Sequence, residues 1–130
     1  MKEKRLSELS KRERQIMDII YMLGEATAAD VIQHLPENVG EHSVRKLIRI
    51  VEKKGHLTHR REGRHYVYIP IVPLEDASKM AMSHLLRTFF QYSVPKAVST
   101  LLEVTEGDLS PEDVAELQAL VKKTEEEEVK

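Results

Sequence analysis

The stretch HSVRKLIRIVEKKGHLTHRREGRHYVYIP, residues 42–70, decides how the chain is read. Its first part, His42 to Lys54, is closed by Gly55 and carries Val44, Leu47, Ile48 and Val51 at helical spacing. With about 100° of rotation per residue, His42, Arg45, Lys46, Arg49 and Lys53 fall within about 100° of arc opposite that stripe. Glu52 is the one acid on that side. One face of this helix therefore belongs in a core and the other is cationic. The second part opens a strand at Leu57 and Thr58 and closes with the β-rich run His65 to Ile69, whose aromatics alternate. Arg60-Arg61-Glu62-Gly63-Arg64 lies between, which reads as a hairpin with glycine near its tip. Pro70 and Pro73 end the run and mark a boundary. Residues 42–65 hold 8 Lys and Arg against 2 Glu.

Upstream, the sequence predicts two more helices. Ser10 and Glu13 form a capping box, S-K-R-E, followed by Ile16, Ile19, Ile20 and Leu23 on one face and a stop at Gly24. Thr27 and Asp30 form a second box, T-A-A-D, which starts a short helix with Ala28, Val31, Ile32 and Leu35 turned inward and an end before Pro36. A polar loop, Glu37–Glu41, leads to the basic helix. Three helices followed by a basic hairpin is the order of a winged helix-turn-helix, and the third helix is then the reader of a DNA major groove.

On that reading each basic side chain has a task. Arg45 and Lys46 suit base edges, because a bidentate arginine on guanine is the commonest specific contact. Ser43 can donate to a base or a phosphate. His42, Arg49, Lys53 and Lys54 suit phosphates, and Arg60, Arg61, Arg64 and His65 would straddle the backbone or enter the minor groove. The bland alternative, a solvated charged face, is outweighed by the basic hairpin beside it. His56-x-x-His59 is the nearest approach to a zinc pair, but in a strand that spacing sends the rings to opposite faces, so these histidines read as polar surface or phosphate donors. Two S-x-x-K strings, Ser43–Lys46 and Ser93–Lys96, have none of the companion elements of an acyl-enzyme and read as chance.

The remainder reads as helical. A helix over roughly residues 74–92 presents Met82, Leu85, Leu86, Phe89 and Phe90, and a second one around Pro95 presents Val94, Ala97, Val98, Leu101 and Leu102. Gly107 breaks the chain. Ser110-Pro111-Glu112-Asp113 starts a third helix with Val114, Leu117, Leu120 and Val121 on its stripe. These apolar faces are too wide for so small a bundle, and pairing with a second copy buries the surplus. The expected architecture is mainly α with a small β-wing: a winged helix-turn-helix over residues 1–72 and a helical dimerisation region over 73–130. Met82, Leu85, Leu86, Phe89, Phe90, Val98, Leu101, Leu102, Leu117 and Val121 would line the dimer contact.

Charge and composition agree. The 130-residue chain has a net charge of −2, yet residues 1–70 carry 14 Lys and Arg against 10 Asp and Glu, while residues 71–130 carry 6 against 12. One half thus suits a polyanion and the other avoids it. The absence of cysteine removes disulfides, thiol catalysis and thiolate metal sites. Five glycines spread along the chain form no phosphate-cradling loop, and no apolar run reaches membrane-spanning length. The charged start, MKEKRLSELSKRER, lacks the apolar core of a secretion signal, so a cytoplasmic, nucleoid-associated protein is expected. No carboxylate pair, triad or metal cluster stands out, so neither enzyme activity nor a cofactor, metal or small-molecule ligand is expected.

The segments L-S-x-R-E-x-x-I-M-x-I-I-Y at 9–21, G-E-A-T-A-A-D-V at 24–31, S-V-R-K-L-I-R-I-V-E-K-K-G-H-L at 43–57 and G-R-H-Y-V-Y-I-P at 63–70 resemble the penicillinase-repressor family, the BlaI, MecI and CopY group. The resemblance covers residues 6–72 well and continues in layout to residues 108–113. It implies a bacterial repressor acting as a homodimer on palindromic operators with TACA/TGTA-like half-sites. It also leaves room for a membrane sensor-protease partner. By family position Ser43, Arg45, Lys46 and Arg49 fall in the recognition helix and Arg64 to Tyr66 in the wing. The chain departs from the family at Tyr21, often Trp, at Lys46, usually Thr, and at Ile50, usually Arg. It has no C-terminal cysteines for copper, and Leu102-Glu103-Val104 stands where β-lactam-responsive members are cut at an Asn-Phe type bond. A MarR-like regulator with a ligand between its helices, and a winged-helix adaptor that leaves DNA alone, are the competing readings.

Overall fold

A computed structural model describes residues 8–36 and 38–129. The first seven residues and Glu37, at the start of the expected polar loop, lie outside them. The elements follow in the order α1 (Lys11–Leu23), α2 (Ala28–His34), α3 (Glu41–Lys53), β1 (Leu57–Glu62), β2 (His65–Pro70), α4 (Leu74–Phe89), α5 (Val94–Val104) and α6 (Pro111–Val129). Two compact units result, residues 1–83 and residues 84–130. The hairpin closes at Pro70, and the division between the units falls further on, inside α4.

The helix starts are set by local hydrogen bonds. Ser10 Oγ accepts from the Glu13 N–H at 3.2 Å, and the Glu13 carboxylate accepts from the Ser10 N–H at 3.3 Å. Thr27 and Asp30 repeat the exchange at 3.1 and 2.9 Å for α2. Each box satisfies two backbone donors that a helix start leaves open. Gly24 ends α1 at φ 89°, a left-handed conformation that costs glycine little. The basic helix begins one residue earlier than the sequence suggests: Glu41 belongs to its first turn, and Lys54 is its C-cap.

The apolar stripes of α1, α2 and α3 meet in one core. Ile16, Ile20, Val31, Val44, Ile48, Val51 and Leu57 are its largest fully buried side chains. Leu9, Met17, Ile19, Ala26, Ala28, Leu35 and Tyr68 complete it, and Ile32 and Leu47 pack at its edge. β1 and β2 pair antiparallel from Leu57↔Pro70 to Glu62↔His65. Gly63, at φ 62°, takes the first position of the two-residue turn, where this hairpin geometry asks for glycine. The base of the hairpin is tied to the body at several points. Ala26 and Tyr68 exchange backbone hydrogen bonds of 3.1 and 2.7 Å, Ile71 N–H donates to His56 O at 3.0 Å, and the Tyr21 hydroxyl donates to Val72 O at 2.9 Å. Tyr21, where the family often has Trp, is thus half-buried and uses its polar end to hold the strand that leaves the wing.

Residues 84–130 form a different kind of unit. α4 stops at Phe89, short of the expected residue 92, because Gln91 and Tyr92 turn left-handed at φ 47° and 62°. The Tyr92 N–H reaches back to Leu86 O at 2.9 Å, closing the helix end. Ser93 caps α5, with Pro95 in its first turn, and Ser110 and Asp113 form a reciprocal cap on α6 at 3.0 and 3.1 Å. Among the described side chains of this unit none is buried. Phe89 is 63% exposed and Leu101 52%; Leu85, Val98, Leu102, Leu117 and Val121 are exposed too, as is Met82 just before the unit, while Leu86 and Phe90 are half-buried.

Truncating Ile48 to alanine removes a fully buried side chain from the seam between the first three helices. It is expected to cost about 2–5 kcal/mol of stability, read as a lowered urea midpoint of the N-terminal transition.

Candidate nucleic-acid interface

α3 is the element on which the interface is built. Val44, Ile48 and Val51 anchor one side in the core, so His42, Ser43, Arg45, Lys46, Arg49 and Lys53 are carried on the solvent side, and all six are exposed. Gly40, the N-cap, has no side chain to bond the first turn, so the first N–H groups of α3 receive no side-chain cap.

The hairpin divides its basic residues between two faces. Cross-strand partners share a face, so His59, Arg61, Tyr66 and Tyr68 lie together, while Arg60, Glu62, Val67 and His65 lie on the other side. His59 joins the first face to α3: its Nδ1 pairs with the Glu52 carboxylate, and its ring meets Tyr66 tilted at 4.5 Å and Tyr68 edge-on at 5.9 Å. Burial pushes the Tyr68 hydroxyl's pKa up. Arg60, expected among the wing contacts, is instead gripped from its own face. It donates in a two-pronged bond to Glu25, 3.0 Å from Nη1 to Oε1, and Nη2 also reaches Glu62 at 2.8 Å. The guanidinium in turn holds the Glu25 carboxyl below the usual range. Arg61 folds back onto Gly63 O at 3.1 Å, and Arg64 and His65 stand exposed at the turn.

Two expectations are corrected by burial and pairing. Lys54, read as a phosphate contact, points back into the fold: Nζ donates to Glu13 Oε1 at 2.7 Å and to Glu8 O at 3.0 Å. His56, read as surface, is 4% exposed and lies just before β1, so the strand argument about His56 and His59 does not apply to it. The signal for Lys54 was available in the capping box: Glu13 is buried by its helix start, and a buried carboxylate calls for a cation. Arg45 is engaged too, with Nε and Nη2 both donating to Glu41 Oε1 at 3.0 and 2.8 Å. Lys46, Arg49, Lys53 and Arg64 form no ion pair among the described residues. Among those residues no group of three or more His, Cys, Asp or Glu could hold a metal ion.

Three helices with a basic third helix and a paired, tied-down hairpin define a winged helix-turn-helix of the nucleic-acid-binding class. The family profile of the penicillinase repressor matches residues 9–123. The chain belongs to that family, a family of DNA-binding transcriptional repressors and not of enzymes. It is 25% identical over 120 residues to the penicillinase repressor of Bacillus licheniformis, covering 91% of this chain and 92% of that one. It is 23% identical over 118 residues to the methicillin resistance regulatory protein MecI of Staphylococcus aureus strain N315, covering 89% and 94%. The solution structure of the DNA-binding domain of the repressor BlaI aligns with 53% of this chain and 87% of its own length, at 27% identity and a TM-score of 0.48. No helix among the described residues is long and apolar enough to cross a membrane.

The Lys54–Glu13 pair has a pH signature. The Lys54 ammonium, together with the bonds from Ser10, holds the Glu13 carboxyl below its usual range against the opposing effect of burial. The folded state therefore binds fewer protons than the unfolded one in acid, and the pair's stability is present at neutral pH and lost as pH falls through the carboxylate range. Glu13→Gln is expected to cost about 1–2 kcal/mol at neutral pH in urea denaturation, with the difference from the parent shrinking toward zero near about pH 3.

Proposed function

We propose that this chain represses transcription as a homodimer that occupies a palindromic operator and excludes polymerase from the overlapping promoter. The observation that carries the reading is the two-sided character of α3: its apolar side is sealed in the core, and its outer side offers exposed cations at its start, middle and end. On this reading Arg45, Lys46 and Ser43 meet base edges in the major groove. His42, Arg49 and Lys53 meet phosphates, and Arg61, Arg64 and His65 of the wing meet the backbone beside them. Arg60 joins them only by leaving Glu25 and Glu62.

A second copy is the proposed cover for the C-terminal helices. The unit of residues 84–130 leaves Phe89, Val98, Leu101, Leu102, Leu117 and Val121 in water, and a pair of copies buries them. Pairing also supplies a second reading head, so that half-sites spaced about one turn of DNA apart fix the register. Derepression then needs only the loss of the pair, because one head alone binds weakly. The exposed end of α5, Leu102-Glu103-Val104, is where a sensor-protease would act on this scheme, and the complex would reside on the nucleoid in the cytoplasm.

Fluorescence anisotropy on a TACA/TGTA palindrome and a scrambled duplex of equal length, at two salt concentrations, tests the reading. Tight, salt-sensitive binding to the palindrome with two chains per duplex supports it. Equal weak binding to both leaves a DNA-binder with another operator, and no binding to either favours the adaptor. Arg45→Ala is expected to weaken the palindrome by about 1–3 kcal/mol and the scrambled duplex by less. Lys53→Ala is expected to weaken both equally and to lower the salt slope by about 1. Leu101→Asp is expected to sediment as a monomer and to lose at least about tenfold in palindrome affinity.

A further inference from the structure

Glu41 is an acid on the solvent side of the basic helix, away from its buried stripe. It lies in the first turn of α3, exposed, and its Oε1 accepts from both Nε and Nη2 of Arg45. The pair uses one edge of the guanidinium. An arginine carries five N–H donors, so those on Nη1 and one on Nη2 remain turned outward. That outward edge can span two neighbouring acceptors, which is what guanine presents through O6 and N7.

The pairing also removes a charge. Arg45 with Glu41 is a neutral unit, and its carboxylate repels a phosphate that approaches the same guanidinium. Lys46, Arg49, Lys53 and Arg64 have no such neighbour among the described residues. The outer side of α3 thus divides into cations free to neutralise phosphates and one arginine whose donors are aimed while its charge is cancelled. A neutral donor pair gains from a neutral acceptor at a base edge and gains little from a phosphate anion.

We propose that Glu41 is a specificity-determining, positioning residue, which holds Arg45 extended for a base edge and denies it to the phosphate backbone. The inference rests on the DNA-binding reading above and deepens it. Without Glu41 the Arg45 side chain is loose and fully charged, so it falls onto phosphates of any sequence.

The test is a double-mutant cycle on the scrambled duplex, with the parent, Glu41→Gln, Arg45→Ala and the double variant titrated by anisotropy between about 50 and 200 mM salt. Glu41→Gln is expected to raise affinity for the scrambled duplex several-fold and to steepen its salt slope by about 0.9, one added phosphate contact. In the Arg45→Ala background the same change is expected to leave the slope where it was. Affinity for the TACA/TGTA palindrome is expected to stay level or fall, so selectivity narrows. A Glu41→Gln effect of equal size with and without Arg45, or none at all, overturns the inference, because Glu41 then acts as an ordinary surface charge. A helix-start role alone would shift the melting temperature and leave the slope unmoved. A parent chain that binds neither duplex overturns the DNA-binding reading itself, and the inference with it.

Discussion

Everything the N-terminal unit presents to solvent depends on the burial of one apolar ridge, Val44, Ile48 and Val51 of α3. Side chains at that spacing share one face of a helix, so sealing them against α1 and α2 fixes the rotation of α3 about its axis. Rotation is the quantity that decides which residues look outward. A slip of one residue would turn the aim of the cationic side by about 100°. The Lys54–Glu13 pair adds an axial constraint to this rotational one, because it pins the end of α3 to the start of α1. That start is itself held by the Ser10–Glu13 box, so a single carboxylate serves as helix cap and as clasp.

The charges of the unit follow the same economy of placement. Glu41 faces Arg45, Glu52 faces His59, and Glu25 with Glu62 faces Arg60. Each is an exposed or half-exposed pair whose contribution to stability is small. Their value lies in orientation: they set where long side chains rest before a partner arrives. The free cations are the short list that long-range attraction can use, while the paired ones carry a charge that a neighbouring carboxylate offsets.

Much of this was legible in the residues. Both capping boxes, the stops at Gly24 and Gly55, the apolar stripe of α3 and the glycine of the wing turn are short-range signals, and each describes its element to within a residue or two. Burial and pairing across elements were less legible. Lys54 looks like any helix-end lysine until the distance to Glu13, 41 positions away, is known. His56 sits in a polar string yet is buried just before β1, where the turn at Gly55 brings its N–H back to Val51 O. Arg60 and Arg61 are neighbours in sequence, but strand alternation parts them and gives only one to the α3 side. The end of α4 is hidden in the sequence for a related reason: the left-handed pair Gln91 and Tyr92 carries no glycine to announce it.

The ties at the base of the hairpin have a mechanical consequence. Ala26, His56 and Tyr21 hold the chain at Tyr68 and just beyond β2, whereas among the described residues the tip from Glu62 to His65 is bonded only within the hairpin itself. The wing is therefore a cantilever, stiff at the root and free at the tip. On the proposed DNA-binding reading, docking has to order only those few tip residues, at about 1–2 kcal/mol of backbone entropy each, rather than a whole flexible loop. Tip length and tip sequence are likewise uncoupled from the core, so the reach of the wing can be retuned without moving α3 beside it.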